Sequence, residues 1–448
     1  MSRKASVYVL VVLVVFLIST LSVGVYGETS KKPYEGQKIT LFAADHPDII
    51  DPIRDMLPKF EEMTGIKVNI ETVPEGEHNA KEEMILSTGS DAYDVFNTAS
   101  VGAMGRIKAG WYVPIGDLLG SDFDYSDFPE KLLDLLSEGG QLYGLPIRAE
   151  TIILMYNKEI LDKYGVNVPT TLDEFAEAAK KLTIDIDGDG KFDHFGTAVR
   201  GAQGQGGYTF TFYFRNMGGK FFDTDMSPLV NSSEGIKALD YYVDMGTKYA
   251  PRGSAVYTWE DVFNSLQLGR SAMIIESSIQ AGIIEDPEKS TVVGKCGYAI
   301  PPSGPEINRP DLKCYGYFIS NFSKHKEAAT EFIKWATSKE VQQYAFDRYK
   351  FSALTRNSVL DYAYEKAPFF KAIKDTMAIG DIYFLPPIPE QPAYYMAISD
   401  AVSYALAGTK SSKDALDEAN ERIRKILDDA GYFSGKKEIP EFIRNGQG

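Results

Sequence analysis

The sequence predicts an α/β chain of two lobes, and three observations carry that reading. Its 448 residues exceed what one ordinary hydrophobic core holds. Strand-like and helix-like runs alternate from the start of the globular part, the pattern of a mostly parallel sheet covered by helices. Residues 139–158, GGQLYGLPIRAETIILMYNK, then break the pattern. A short strand at Gln141-Leu142-Tyr143, a Gly144-Leu145-Pro146 turn and an apolar, β-branched strand over 151–156 have the form of a crossover between lobes.

The first residues read as an export signal. Arg3 and Lys4 precede an apolar run over 7–23, and Val25-Tyr26-Gly27 offers small residues for a cut near Gly27. A retained N-terminal anchor is the alternative, and with no Cys near residue 27 a lipid anchor is not expected. A polar tether over 28–36 follows. The composition, 44% hydrophobic and 12% aromatic, is that of a globular protein, and a net charge of −16 argues against nucleic acid or an anionic membrane surface as partner.

The first lobe opens with a strand over 38–43, a helix carrying Ile50, Ile53, Leu57 and Phe60 that stops at Thr64-Gly65, a strand over 66–73, a short helix over 80–86 and a strand over 93–98. Ligands of such lobes sit beyond the carboxyl ends of the strands, which points to Asp45, His46 and Asn97. An Asx turn or helix cap explains the same residues without a ligand.

Beyond the crossover, Thr171 and Glu174 have capping-box spacing ahead of a helix. The loop DIDGDGKFD follows. Asp185, Asp187, Asp189 and Asp193 occupy positions 1, 3, 5 and 9 of a calcium loop, and Lys191 offers its carbonyl at position 7. Gly196 stands where the bidentate Glu belongs, so a possible structural calcium competes with a self-bonded acidic hairpin. Residues 201–207 hold four glycines but lack the strand-then-helix setting of a phosphate loop. Most rings of 209–214 are expected in the core, with Tyr213 the candidate to face a cleft. Helices are expected over 232–248, 260–268 and 327–335, and a last one from Ser411; a strand is expected over 270–275. Cys296 and Cys314 lie on two short strands joined by a Pro/Gly-rich loop, where antiparallel pairing permits a disulfide and two free buried thiols are the alternative.

Catalytic signatures are missing. The four histidines, at 46, 78, 194 and 325, have no metal-ligand spacing, and no nucleophile elbow, Walker loop or nucleotide fingerprint is visible. Tyr241-Tyr242 lies within a predicted helix, where neighbours point apart, so packing is favoured there over iron chelation.

Several stretches carry a resemblance. Leu142-Tyr143-Gly144-Leu145-Pro146, then Tyr156-Asn157-Lys158, then Val168-Pro169-Thr170-Thr171-Leu172-Asp173-Glu174-Phe175 resemble the central signature of the bacterial extracellular solute-binding proteins that feed sugar ABC transporters. Gly269-Arg270-Ser271-Ala272-Met273 resembles that family's Gly-Lys/Arg-x-Ala-Met step, and Ala353-Leu354-Thr355-Arg356 its return segment between lobes. The resemblance implies a two-lobe periplasmic-binding-protein fold, type II-like as in maltose-binding proteins, with crossover strands and a central ligand cleft. It divides the chain into a first lobe of 37–148 plus about 314–352 and a second of 149–313 plus about 353–448, with hinges near 147–151, 311–314 and 352–356.

It further implies a binding protein without catalytic residues or cofactor, monomeric, that captures a sugar, oligosaccharide or polyol by hinge closure and delivers it to membrane permease subunits. A carbohydrate needs aromatic rings and groups that pair with hydroxyls. The candidates are Asp45, His46, Asn97, Arg148, Glu150, Tyr213, Trp259, Glu276, Tyr315 and Tyr394, with Arg148 and Glu150 foremost because they follow the Gly-Leu-Pro step. Tyr394-Tyr395 sits where the family often has a ligand-facing aromatic. A secreted glycan hydrolase, or a binder of metal, peptide or polyamine, stands as the alternative.

Overall fold

A computed structural model describes residues 32–305 and 307–446. The expected alternation is present. Strand β1 (Lys38–Ala44) leads through helix α1 (Pro47–Thr64) to β2 (Lys67–Val73), α2 (Glu75–Ser87), β3 (Val95–Ala99) and α3 (Ser100–Lys108). Helix α1 starts on a proline and buries Ile50, Ile53 and Phe60; it ends at Gly65, whose φ of +81° supplies the left-handed C-cap. β1 pairs in parallel with β2 and β3.

The crossover differs from the strand–turn–strand expected. A small hairpin of β4 (Ser137–Glu138) and β5 (Gln141–Leu142) precedes β6, one unbroken strand of 14 residues from Gly144 to Asn157. Gly144-Leu145-Pro146 lies inside this strand instead of turning. Three features accommodate it there. A Cβ on Gly144 would stand 2.8 Å from the Phe318 ring. The ladder shifts register between Pro146 and Arg148, which is where a strand tolerates proline. The Pro146 carbonyl accepts a hydrogen bond from the Thr355 hydroxyl at 2.9 Å.

Strand β6 serves two parts of one sheet. Residues 144–151 pair with β9 (Leu312–Ile319), which also pairs with β3; residues 152–157 pair with β7 (Met273–Ser277) and β8 (Cys296–Ala299). Among the described residues the order is β2-β1-β3-β9-β6-β7, with β8 also on β6. Tyr156 is the one residue of β6 not fully buried, as expected of a strand covered on both faces.

The buried apolar side chains form two clusters. One joins β1, β3, β9 and the first part of β6 to helices between residues 328 and 377, and extends to Val262, Phe263 and Ile284. The other gathers most buried apolar residues between 152 and 245, apart from Ile153, Met155 and Ala198 of the first cluster, together with Ala272, Met273, Ile275 and residues between 384 and 443. At the centre of the second cluster is helix α4 (Gly206–Asn216), which grows directly out of the glycine-rich segment and is buried on almost every side. It seats against helix α5 (Gln391–Leu406): a Cβ on Gly207 would stand 3.3 Å from Ser399 Cα.

Cys296 and Cys314 do not meet. Their strands pair with β6 and not with each other, Cys296 opposite Asn157 and Cys314 opposite Ala149. Eight residues of strand, about 26 Å at 3.3 Å per residue, separate those registers. Both thiols are free and buried, and burial pushes each thiol up, Cys296 to about 12. A thiol reagent should therefore titrate both cysteines of unreduced protein after denaturation and neither in the native state, and the melting temperature should be the same with and without reductant.

Candidate ligand cleft

Side chains on one face of an antiparallel pair stand opposite one another, and here the ladder between β6 and β9 sets Arg148 across from Tyr315 and Glu150 across from Lys313. Both acidic and basic members are interior: Arg148 is 5% exposed and Glu150 3%. Glu150 lies between two cations, with Oε1 3.0 Å from Arg148 Nε and Oε2 3.0 Å from Lys313 Nζ. The Ser277 hydroxyl of β7 also donates to it, at 3.4 Å. Burial works to raise the Glu150 carboxyl, but Lys313 and Arg148 outweigh it and hold it below its ordinary value.

Arg148 has further partners. Its guanidinium lies 5.2 Å from the centre of the Tyr315 ring and donates from Nη1 to Nδ1 of His46. A guanidinium can only donate, so the His46 ring carries its proton on Nε2, which faces Glu75 Oε1 at 3.5 Å. His46 follows β1 and opens α1, and thereby brings the end of β1 onto the crossover strand.

A second ion pair adjoins the first. Arg200 donates from Nε to Glu276 Oε2 at 2.6 Å and from Nη2 to Oε1, the paired geometry that suits guanidinium and carboxylate. Glu276 also accepts from Thr209 and from the Ser277 amide. The Tyr208 ring joins the two pairs: Lys313 Nζ lies 4.4 Å and Arg200 Cζ 5.0 Å from its centre.

The structure thus brings His46, Arg148, Glu150, Glu276 and Tyr315 into one buried polar layer. Asp45 is exposed beside His46, at the end of β1. Asn97 is buried on β3 opposite Tyr317, with Oδ1 making no hydrogen bond. Trp259 is half-buried; its backbone amide donates to Gln205 Oε1 at 3.1 Å, beside the loop that leads to Tyr208. Two candidates belong elsewhere. Tyr213 is 1% exposed and packs on Tyr241 and Tyr242 in the second core, because its position on α4 turns it away from Tyr208. Tyr394 is wholly buried against Phe221 and Phe222, its hydroxyl donating to the Pro386 carbonyl at 2.7 Å. Its neighbour Tyr395 projects the other way and donates to the Gly204 carbonyl at 3.1 Å.

Sequence reasoning missed Lys313, Arg200, Tyr208 and Asp311. The first and last were within reach, since Asp311, Lys313 and Tyr315 keep the two-residue period of a strand face. Arg200 and Tyr208 flank a glycine-rich loop that carries no periodicity.

In the acidic loop, carboxylate oxygens of Asp185, Asp187 and Asp193 come within 4.8 Å of one another. Asp189 instead pairs with Lys191 Nζ at 3.2 Å. Backbone amides already fill both oxygens of Asp185, from Gly188 at 2.7 Å and Gly190 at 2.9 Å, and the Ile186 amide donates to Asp193 at 2.7 Å.

The family model described as "bacterial extracellular solute-binding protein" matches residues 43–343. The chain belongs to this family. A probable amino-acid ABC transporter periplasmic-binding protein of Sinorhizobium fredii is 24% identical over 416 residues, 90% of this chain and 92% of its own. The mannitol-binding protein of Pseudomonas aeruginosa is 27% identical over 354 residues, 72% of this chain and 78% of its own. Among solved structures, an ABC transporter solute-binding protein of Agrobacterium radiobacter in complex with ribitol superposes with a TM-score of 0.79 at 28% identity, covering 88% of this chain and all of that one. Such proteins share the two-lobe architecture expected from the sequence. No helix among the described residues is long and apolar enough to cross a membrane; the apolar leader, its cut near Gly27 and the anchor alternative lie outside the described residues.

Replacing Arg200 by Ala leaves Glu276 buried without its cation, a loss of about 3–5 kcal/mol. Chemical denaturation of R200A should show a destabilisation of that order, and a value under about 1 kcal/mol would mean that the pair is not desolvated as described.

Proposed function

We propose that this protein is the extracytoplasmic solute-binding component of an ABC importer and that its solute is an uncharged carbohydrate, a sugar or a polyol. The observation that supports the reading is a set of buried polar atoms in and beside the charged layer that make no hydrogen bond among the described residues, Asn97 Oδ1, Tyr208 Oη and Asp311 Oδ1, with His46 Nε2 held only by the long 3.5 Å contact to Glu75. Such atoms cost about 1–3 kcal/mol each when nothing answers them. The set mixes a donor, two acceptors and a group that does both, and a hydroxyl, which donates and accepts through one atom, can answer each of them.

Charge points the same way. Glu150 is already held by Arg148 and Lys313, and Glu276 by Arg200. An amino acid would bring an ammonium and a carboxylate into a layer whose own charges are spoken for, so the polyol-binding relatives are the better guide than the amino-acid one. The lobe division given by the resemblance is part of the proposal, with β6, β9 and the 353–355 segment as the links across which the lobes close. Closure is a population shift that a solute drives only by touching both sides, and the closed form is what permease subunits would recognise. No reaction is assigned to the site, the chain acts as a monomer, and export follows a cut near Gly27.

A thermal-shift screen of the chain from residue 28 tests this. A sugar or polyol present at about 100 times its Kd should stabilise by about 2.7 kcal/mol, with no turnover of the solute. Amino acids, peptides and polyamines should leave the melting temperature in place. A shift from an amino acid alone would replace the carbohydrate reading, and glycan hydrolysis would replace the transport reading. The loop at 185–193 is a separate matter: a structural calcium there requires a rise with calcium that a chelator reverses.

A further inference from the structure

Asp311 stands at the end of the strand face that carries Tyr315 and Lys313, and it is wholly buried. Helix α4 presents Tyr208 and Thr211, one turn apart, to this edge. The Thr211 hydroxyl lies 2.6 Å from the Tyr208 carbonyl and 3.3 Å from Asp311 Oδ2. A carbonyl only accepts, so the single hydroxyl proton goes to Tyr208, and the contact with Asp311 is a hydrogen bond only when the acid itself carries a proton.

The surroundings favour that proton. Asp381 runs beside Asp311 in a parallel bridge and adds its negative charge; its own carboxylate accepts from Arg215 of α4 at 2.9 Å. Lys313, on the same strand, is committed to Glu150. Among the described residues, Tyr208 of α4 and Tyr395 of α5 also feel the Asp311 charge. Burial, then Asp381, raises the Asp311 carboxyl well above the usual carboxylate range, outweighing the opposing pulls of Thr211, Arg215 and Lys313. Among the described residues its Oδ1 has no hydrogen-bond partner.

We propose that Asp311 is an uncharged acid at the inner end of the cleft and that its Oδ1 accepts a hydrogen bond from a hydroxyl of the bound solute. The solute half of this rests on the carbohydrate reading above; the protonation half does not. Asp311→Asn keeps a carbonyl oxygen and a donor toward Thr211, whereas Asp311→Val keeps the shape and neither group. Calorimetric titration with D-mannitol and with ribitol should give D311N a Kd within about 3-fold of wild type and D311V one weaker by about 10-fold, the worth of one hydrogen bond to a buried group. D311N weakened as much as D311V would make the ionised carboxylate the working form and overturn the proposal, and D311V binding like wild type would remove the contact.

The infrared difference spectrum of wild type minus D311N at neutral pH should show a protonated-carboxyl C=O stretch, and its absence overturns the uncharged acid whatever binds. If wild type binds neither polyol nor any sugar, the carbohydrate reading and the contact fall together, while the infrared band still decides the protonation state. Should D311V fail to fold, D311N and the band decide the matter between them.

Discussion

A carboxylate as deeply buried as Glu150 stays ionised only where cations replace the water it has lost. Arg148, two residues earlier on the same strand, and Lys313, directly across the ladder, supply them. That condition constrains more than one side chain. A slip of one residue between β6 and β9 would turn Lys313 to the opposite face and strand the carboxylate, so the charges help specify the register through which the two parts of the sheet are joined. The register in turn fixes Tyr315 over Arg148, Ser277 beside Glu150 and Asp311 beyond Lys313. The polar layer and the lobe connection are one construction.

Because β6 is continuous, the lobes are not beads on a linker. Its first half is laddered to β9 and its second to β7 and β8, so motion of one lobe against the other must be absorbed in few backbone positions. The register shift at Pro146–Arg148 is one natural place, since the ladder is already interrupted there and the 353–355 segment supplies hydrogen bonds to Pro146 and Ala149. This is where the proposed closure would act, with Arg148 at the interrupted ladder and Glu150 two residues further on.

Much of this was legible in the chain itself. Alternating runs gave β1 to β3 to within two residues, because apolar period acts locally, whereas the helix expected over 80–86 begins at Glu75, its polar first turn carrying no apolar period. Arg148 and Glu150 stood out by their place after Gly-Leu-Pro, although the Gly-Leu-Pro step itself proved to be strand, its proline tolerated at a register shift that no local signal marks. The cysteines were misleading for a similar reason: two short strands with a turn between them suggested a hairpin, but both preferred the same long neighbour. Tyr394 and Tyr395 illustrate the limit of a motif. A pair of adjacent tyrosines on a helix sends one ring into the core and the other out, and only the packing of Phe221 and Phe222 decides which. Arg200 and Tyr208 could not be read at all, since their meeting with Glu276 and Lys313 depends on contacts distant in sequence.

The glycine-rich segment before Tyr208 resolves why that meeting occurs. It is neither a phosphate loop nor a loose tether. A Cβ on Gly201 would lie 2.1 Å from the Ser254 carbonyl oxygen, and those on Gly206 and Gly207 would press on Val402 and Ser399. Only glycine lets the backbone enter so closely, and the close approach sets α4 deep enough for Tyr208 to reach Lys313 and Arg200. The consequence for recognition is specific. The rings of Tyr208 and Tyr315, the two aromatics nearest the buried charges, already carry cations against them. A solute ring stacking on either of them would share that face with a cation, which ties the proposed recognition to hydrogen bonds more than to stacking.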